Sequence, residues 1–423
     1  MLWKPNRNGA IGLAGAALLV LAACAGSPER ELSETISEPG VPKQLQSRQI
    51  IVALAERERP QWSAIAQELQ ARHQLRPVGQ FPLTSIGVQC LVFQVPPDQS
   101  LETTLARLKA DPRIELAQPN QAFEGLQAGA ADPVASYAAL AYGVKRIGAD
   151  RAWQVSTGRG VPVAVIDTGA DTDHPALRGR GIQTTNFVEG GESTFTTDRH
   201  GTAVTGVIGA RATVAGIEGV APDATLTVAK ACWYPEPAHA KARCSSWTLA
   251  KAVDFAINGD ARVINLSLGG PPDSLLDRLL NAAEQHGITV VAATREGRDE
   301  PGFPAALDTV IPVIACDSQG RVARPRWHSP AFVAAAPGVE IVAPVPPDRY
   351  DLLSGSSLAA AHVTGVVALL VQQDPQRRPD QIREILRATA RPVMPSSPPA
   401  LPAIGIVDAC AALARHAPAL ACP

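Results

Sequence analysis

From Val161 onward, short runs that are apolar at nearly every position alternate with longer segments whose apolar residues recur every three or four positions. The runs Val161 to Ile166, Leu226 to Ala229, Val263 to Leu268, Ile288 to Ala293 and Val310 to Ala315 read as strands buried on both faces, since one wet face would impose alternation. Trp247 to Ile257 and Leu275 to His286 read as helices between them. The expected fold is α/β, a doubly wound, mainly parallel sheet with helices on both sides. In such a sheet, functional groups gather at the carboxyl ends of the strands.

The region before it has another rhythm. An apolar run Gln49 to Leu54, a helical segment Trp62 to His73, a run Val88 to Phe93, a helical segment Leu101 to Ala110 and a run Ile114 to Ala117 follow in turn. One further strand between His73 and Val88 completes β-α-β-β-α-β, a small ferredoxin-like α+β module over residues 45–125. Residues 126–139, which open rich in Ala with Gly, Asp and Pro, read as a linker that holds the processing boundary. Far downstream, Ser354-Gly355-Ser356-Ser357 leads into a run of small apolar side chains ending at Val371, with His362 and Thr364 as polar breaks. That is a tight turn feeding a buried helix, with Ser357 in the first turn and its N–H unpaired within the helix. A serine there either caps the helix or presents a hydroxyl and a free N–H to a reacting carbonyl.

Composition changes the picture mainly at the N-terminus. The 423 residues are 46% hydrophobic with a net charge of −2, enough for two domains and without the basic runs that nucleic acid requires. Lys4 and Arg7 precede an apolar stretch, Gly9 to Ala23, that is shorter than the roughly 20 residues a membrane helix needs, so residues 1–23 read as an export signal. Leu21-Ala22-Ala23-Cys24 resembles a bacterial lipobox, which implies cleavage before Cys24, lipidation of its thiol and anchoring to the cell envelope. Ala25 in place of aspartate implies the outer membrane; the other reading is an ordinary secretory signal with a coincidental cysteine. Residues 24–44, rich in Ser, Pro, Glu and Gly, form a tether. Export permits disulfides: Cys232 with Cys244 and Cys410 with Cys422 are spaced for short-loop bridges, Cys90 and Cys316 lack an obvious partner, and no spacing suits zinc.

The chemistry sits in three motifs. Asp167 directly follows the strand Val163-Ala164-Val165-Ile166, whereas Asp171 and Asp173 lie past it in a loop. His200, one of eight histidines, alone opens a glycine-rich helix, Arg199-His200-Gly201-Thr202-Ala203-Val204-Thr205-Gly206. A carboxylate that orients an imidazole and an imidazole that takes a serine proton are the parts of acyl transfer. Val163 to Gly169, Arg199 to Gly209 and Gly355 to His362 resemble the aspartate, histidine and serine motifs of the subtilisin-like serine proteases, in subtilisin order. Ser356, Leu358 and Ala361 depart from the family's usual letters, and Ala203 stands where a second histidine is common. The resemblance covers about residues 140–416. It implies a serine endopeptidase with the triad Asp167, His200 and Ser357, and a structural position for His362.

Two further segments extend the resemblance. Asn265-Leu266-Ser267-Leu268-Gly269-Gly270 resembles the family's substrate strand, which implies that Ser267, Leu268, Gly269 and Gly270, with Ala293 and Thr294, bind a peptide as an added strand. Gly405 to Ala409 resembles the segment near the family's C-terminal end, leaving residues 417–423 as a tail. The module over 45–125 resembles the family's propeptide, which implies a folding aid and self-inhibitor; a permanent accessory domain is the other reading.

One position breaks the pattern. Where the family has Ala-Ala-Gly-Asn, its Asn donating to the oxyanion, this chain has Ala292-Ala293-Thr294-Arg295. The Ser357 N–H is one expected oxyanion donor. Arg295 either donates in place of the amide or leaves the site one donor short, a loss of about 10² to 10³ in turnover as in subtilisin itself. The alternative function follows from the second case: a subtilisin-like protein that binds peptides and cuts them poorly. Thr294 is expected to narrow the pocket for the residue before the cut bond and favour small side chains. No cofactor is required, and for the structural calcium of many relatives only Asp171 with Asp173 offers a faint ligand pair.

Overall fold

The computed structural model describes residues 45–126, 128–131, 141–190, 192–211, 217–235, 241–295, 300–322, 332–393, 404–417 and 419–422. Cys24, the export signal, the tether and most of the linker lie outside the described residues.

The first module runs β1 (Gln49–Ala55), α1 (Trp62–His73), β2 (Arg76–Leu83), β3 (Val88–Gln94), α2 (Leu101–Lys109) and β4 (Ile114–Pro119). Its sheet is antiparallel, in the order β2-β3-β1-β4. The strand without an apolar run is β2, which mixes exposed and buried positions. Alternation in β1 serves both faces: Ile50, Val52 and Leu54 pack on α1 and α2, while Ile51 and Ala53 join a core shared with the following domain.

That domain begins with two tail strands, β5 (Ala122–Gly125) and β6 (Ala128–Ala131). Next come α3 (Tyr142–Arg146), α4 (Ala149–Ala152), β7 (Pro162–Asp167), β8 (Gln183–Asn186), α5 (Arg199–Gly209) and β9 (Thr225–Lys230). The hairpin β10 (Cys232–Trp233) and β11 (Arg243–Ser245) leads to α6 (Ser246–Asn258), β12 (Val263–Leu266), β13 (Leu268–Gly269), α7 (Ser274–Gln285), β14 (Thr289–Ala293) and β15 (Val310–Cys316). The chain continues through β16 (Val333–Pro337), β17 (Ile341–Val345), β18 (Arg349–Ser354), α8 (Ser356–Gln373), α9 (Pro379–Thr389), β19 (Arg391–Pro392), β20 (Ile404–Ile406) and α10 (Ala409–Ala414).

Nine strands form one sheet, β19-β20-β16-β15-β14-β12-β7-β9-β8, parallel except at β19. Along β7, Val163 and Val165 face the core of α5 and α8, and Ala164 and Ile166 face that of α6 and α7. Burial on both sides is why such strands read as unbroken apolar runs.

One expected strand is broken. The run Val263 to Leu268 is not one strand: β12 stops at Leu266, and β13 joins a second sheet, β10-β11-β5-β13. Its apolar letters hide the break because both pieces are buried, each by different partners. Past β4, residues 122–125 pair with β11 and β13.

The modules meet on the face of α6 and α7. Phe81 stacks on Trp247 at 5.8 Å between ring centroids. Gln118 Nε2 donates to Asp273 Oδ2 at 2.8 Å and its Oε1 accepts from the Leu275 N–H at 3.1 Å. Asp273 itself caps α7 through the N–H groups of Leu275 and Leu276, so Gln118 is built into a helix cap. Anchored there, the end of β4 feeds β5 into the second sheet.

Candidate active site

The end of β7 carries the first group. Asp167 Oδ1 accepts from His200 Nδ1–H and from the Thr168 N–H, both at 2.7 Å. His200 is the second residue of α5, and both side chains are buried. Burial works against charging the imidazole, yet the Asp167 carboxylate, with Asp198 behind it, outweighs that and holds the His200 pKa above its ordinary 6.5. Asp171 and Asp173 do not compete: Asp171 Oδ1 accepts the Asp173 N–H at 3.2 Å in a local turn.

Beneath this pair lies a buried ion pair that the sequence reading missed. Lys230 Nζ donates to Asp198 Oδ2 and to the Thr168 carbonyl, and Lys230 is wholly buried. Burial pushes Asp198 up to about 7 against the pull of Lys230, and burial also lowers Lys230. A lysine closing the apolar strand Thr225–Lys230 was the available signal.

The serine is carried by α8, on the same face of the sheet as α5. Gly355, at φ +151°, makes the turn that starts α8, and its N–H donates to the Gly338 carbonyl at 2.7 Å. Ser356 Oγ donates to Thr294 O at 2.7 Å, and Ser267 Oγ donates to the Ser357 carbonyl at 3.1 Å. Behind Ser267, Asn265 Nδ2 donates to its Oγ at 3.0 Å and Thr364 Oγ1 donates to Asn265 Oδ1 at 2.9 Å. Asn265 is therefore fully engaged in holding the turn. Leu266 pairs with Ile166 in the parallel ladder, so Ser267 and Asp167 are the next residues on neighbouring strands, which run about 4.8 Å apart. Ser357 Oγ reaches Ser267 O at 3.2 Å, and so all three groups meet at one end of the sheet.

The hydroxyl does not bond His200. Ser357 Oγ donates to the carbonyl of Leu126, and His200 Nε2 has no hydrogen-bond partner among the described residues. Leu126 directly follows the tail strand β5, which is sandwiched between β11 and β13. The Gly125 N–H donates to Ala242 O at 2.9 Å and the Leu126 N–H to Ser267 O at 3.3 Å. Phe123 is completely buried between the walls. Downstream, β6 pairs with β18 in the register Leu352 with Ala131 and Ser354 with Ala128. The chain's own tail thus crosses the cleft as an added strand, with one carbonyl on the serine.

The profile of the subtilase family matches residues 158–408. This chain belongs to the subtilase family. It is a subtilisin-like serine protease: it is 34% identical over 298 residues to the thermophilic serine proteinase of Bacillus sp. strain AK1, covering 69% of this chain and 71% of that one. It is 36% identical over 252 residues to subtilisin BL of Lederbergia lenta, covering 59% of this chain and 90% of that one. Fervidolysin from Fervidobacterium pennivorans, described as a keratinolytic enzyme related to subtilisin, shares the fold at a TM-score of 0.69 and 24% identity, covering 87% of this chain and 62% of that one.

Several expected positions of the subtilase take a definite place. Ser267, Leu268 and Gly269 flank the tail, with Leu268 paired to Gly125 and Gly269 to Glu124. Gly270 bridges to Phe303 and also lies against the tail, since a Cβ there would meet the Phe123 ring at 2.3 Å. Ala293 is buried at the end of β14, and the Thr294 hydroxyl donates to Val313 O at 2.9 Å on β15. His362 is buried in α8 with Nδ1 donating to Leu358 O at 2.8 Å, and burial pushes it down to about 4, so it is neutral. The bridges Cys232–Cys244 and Cys410–Cys422 are both formed. The first clamps β10 to β11, the outer wall of the cleft, and the second ties down the C-terminal tail.

Proposed function

We propose that the subtilase is a zymogen whose first substrate is its own tail, cut between Leu126 and Gln127 by the triad of Asp167, His200 and Ser357. The observation that carries this reading is the Leu126 carbonyl on Ser357 Oγ, at the end of a strand docked between β11 and β13. A rotation of the serine side chain toward His200 Nε2, the unpartnered nitrogen, prepares attack. Oγ then bonds the Leu126 carbonyl carbon while His200 takes its proton, and Asp167 stabilises the imidazolium. The Ser357 N–H, which has no partner within α8 among the described residues, receives the developing oxyanion. His200 next gives the proton to the leaving Gln127 amine, and water releases the acyl group.

After the cut, residues 45–126 remain as an inhibitor held by Phe81 on Trp247, by Gln118 at the α7 cap and by the docked strand. Export with a lipid on Cys24 places the protease at the cell envelope, and two disulfides within the described residues suit that compartment. Mass analysis of the purified chain and of Ser357→Ala tests the whole reading. Wild type yields a new N-terminus at Gln127 and Ser357→Ala does not; an uncut wild type, or cutting that survives Ser357→Ala, overturns it. A second reading, a peptide binder that cuts poorly, draws on the absence of an asparagine at position 295. Failure of the wild type to take up a fluorophosphonate label favours it.

A further inference from the structure

Arg295 stands where the sequence pattern led one to expect an oxyanion donor, and its surroundings suit a different task. Its N–H donates to Pro301 O at 2.9 Å, which turns the side chain between two glycines. A Cβ on Gly302 would lie 2.4 Å from Arg295 Cδ, and one on Gly269 would lie 2.9 Å from Arg295 Cγ. Gly302 also has φ +79°, so glycine is required there twice over. These two glycines leave a slot that the arginine methylenes fill. The same point above Gly269 lies 3.3 Å from Leu126 Cδ1. The tip of Leu126 and the stem of Arg295 therefore meet over one glycine, beside the carbonyl on Ser357. Among the described residues the guanidinium has no hydrogen bond or ion pair, so packing along the stem is what places it.

We propose that Arg295 is the specificity-determining residue of this protease: its stem closes the pocket for the residue before the cut bond at leucine length. The pocket accepts medium aliphatic side chains and rejects aromatic rings, which need the space the methylenes occupy. The assignment rests on the reading of the tail as first substrate. It gives Leu126 a reason to be leucine, and it makes Arg295, more than Thr294, the residue that limits the pocket.

The test is a double-mutant cycle in the uncut full chain, with Ser357→Ala throughout, so that it does not depend on turnover. Hydrogen exchange is followed at the Gly125 and Leu126 amides, which are bonded to Ala242 O and Ser267 O. Leu126→Phe speeds their exchange by about tenfold when Arg295 is present and by less than about twofold in Arg295→Ala; Arg295→Met, which keeps the stem, behaves like Arg295. An equal effect of Leu126→Phe in all three backgrounds overturns the proposal. In the Ser357-containing enzyme, Arg295→Ala raises the rate on Phe-Glu-Gly-Phe peptides relative to Phe-Glu-Gly-Leu peptides by about tenfold. A fall in kcat by one common factor for both peptides, in Arg295→Ala and Arg295→Met alike, overturns it in favour of oxyanion donation. Coupling in the exchange cycle without any turnover removes the catalytic reading and leaves the Arg295 assignment standing.

Discussion

The two walls that meet at Ser357 are held by different physics. On the side of β7, β12 and α8, position is set by directed bonds: Asp167 to His200, Thr364 to Asn265 to Ser267 to the Ser357 carbonyl, and Lys230 to Asp198. On the side of β14, the Arg295 side chain is set by shape, its stem laid between Gly269 and Gly302. A bond of fixed length demands one residue type, whereas a slot accepts any side chain that fills it. Reactive geometry belongs to the first wall and selectivity to the second.

Substitutions that break the bonded wall have the largest effects. Asp198→Ala leaves Lys230 buried without its carboxylate partner, beside a lone carbonyl, and chemical denaturation should read a loss of about 3–5 kcal/mol. Asn265→Ala strips partners from Thr364 and Ser267, and the expected cost is about 1–3 kcal/mol, with kcat falling more than KM rises because the turn carrying Ser357 loosens. Removing the Cys232–Cys244 bridge by a Cys232→Ala and Cys244→Ala pair costs about 3 kcal/mol by closing-loop arguments, as does removing Cys410–Cys422. Only the first pair should raise KM for peptides with an aromatic residue four positions before the cut, because β11 lines Phe123. Equal kinetics in the two pairs would mean that the clamp on the outer wall has no bearing on substrate.

The packed wall should answer more gently. Arg295→Met is expected to change stability by less than about 1.5 kcal/mol, since volume is nearly kept. The pH profile sharpens the contrast at the smallest scale. His200 accepts a proton only when neutral, and its pKa is raised, so kcat/KM falls as pH drops through an acid limb with its midpoint above 6.5. Asp198→Asn removes a negative charge that favours the imidazolium, which moves that limb to lower pH. Arg295→Met should leave it in place. An equal shift in both variants would erase the distinction between the walls.

Much of the bonded wall was legible in the letters. Asp167 after an apolar strand, His200 opening a glycine-rich helix and Ser357 after Gly355 each carry a local signature, because strand ends, helix starts and tight turns restrict the residues beside them. The repeated apolar runs announced the parallel sheet for the same local reason. Asp198 and Lys230 escaped notice because each is an ordinary charged residue until the fold buries both.

Residue pattern alone determined the element order, the family likeness and the three groups of the proposed triad, since these depend on periodicity and on neighbours within a few positions. Only the tertiary structure decided that Ser267 separates two sheets, that residues 122–126 lie in the cleft with Leu126 on Ser357, and that Arg295 fills a slot between two distant glycines. Those facts depend on backbone and side-chain atoms brought together from segments far apart in the chain, and no short stretch of letters records which surfaces will meet.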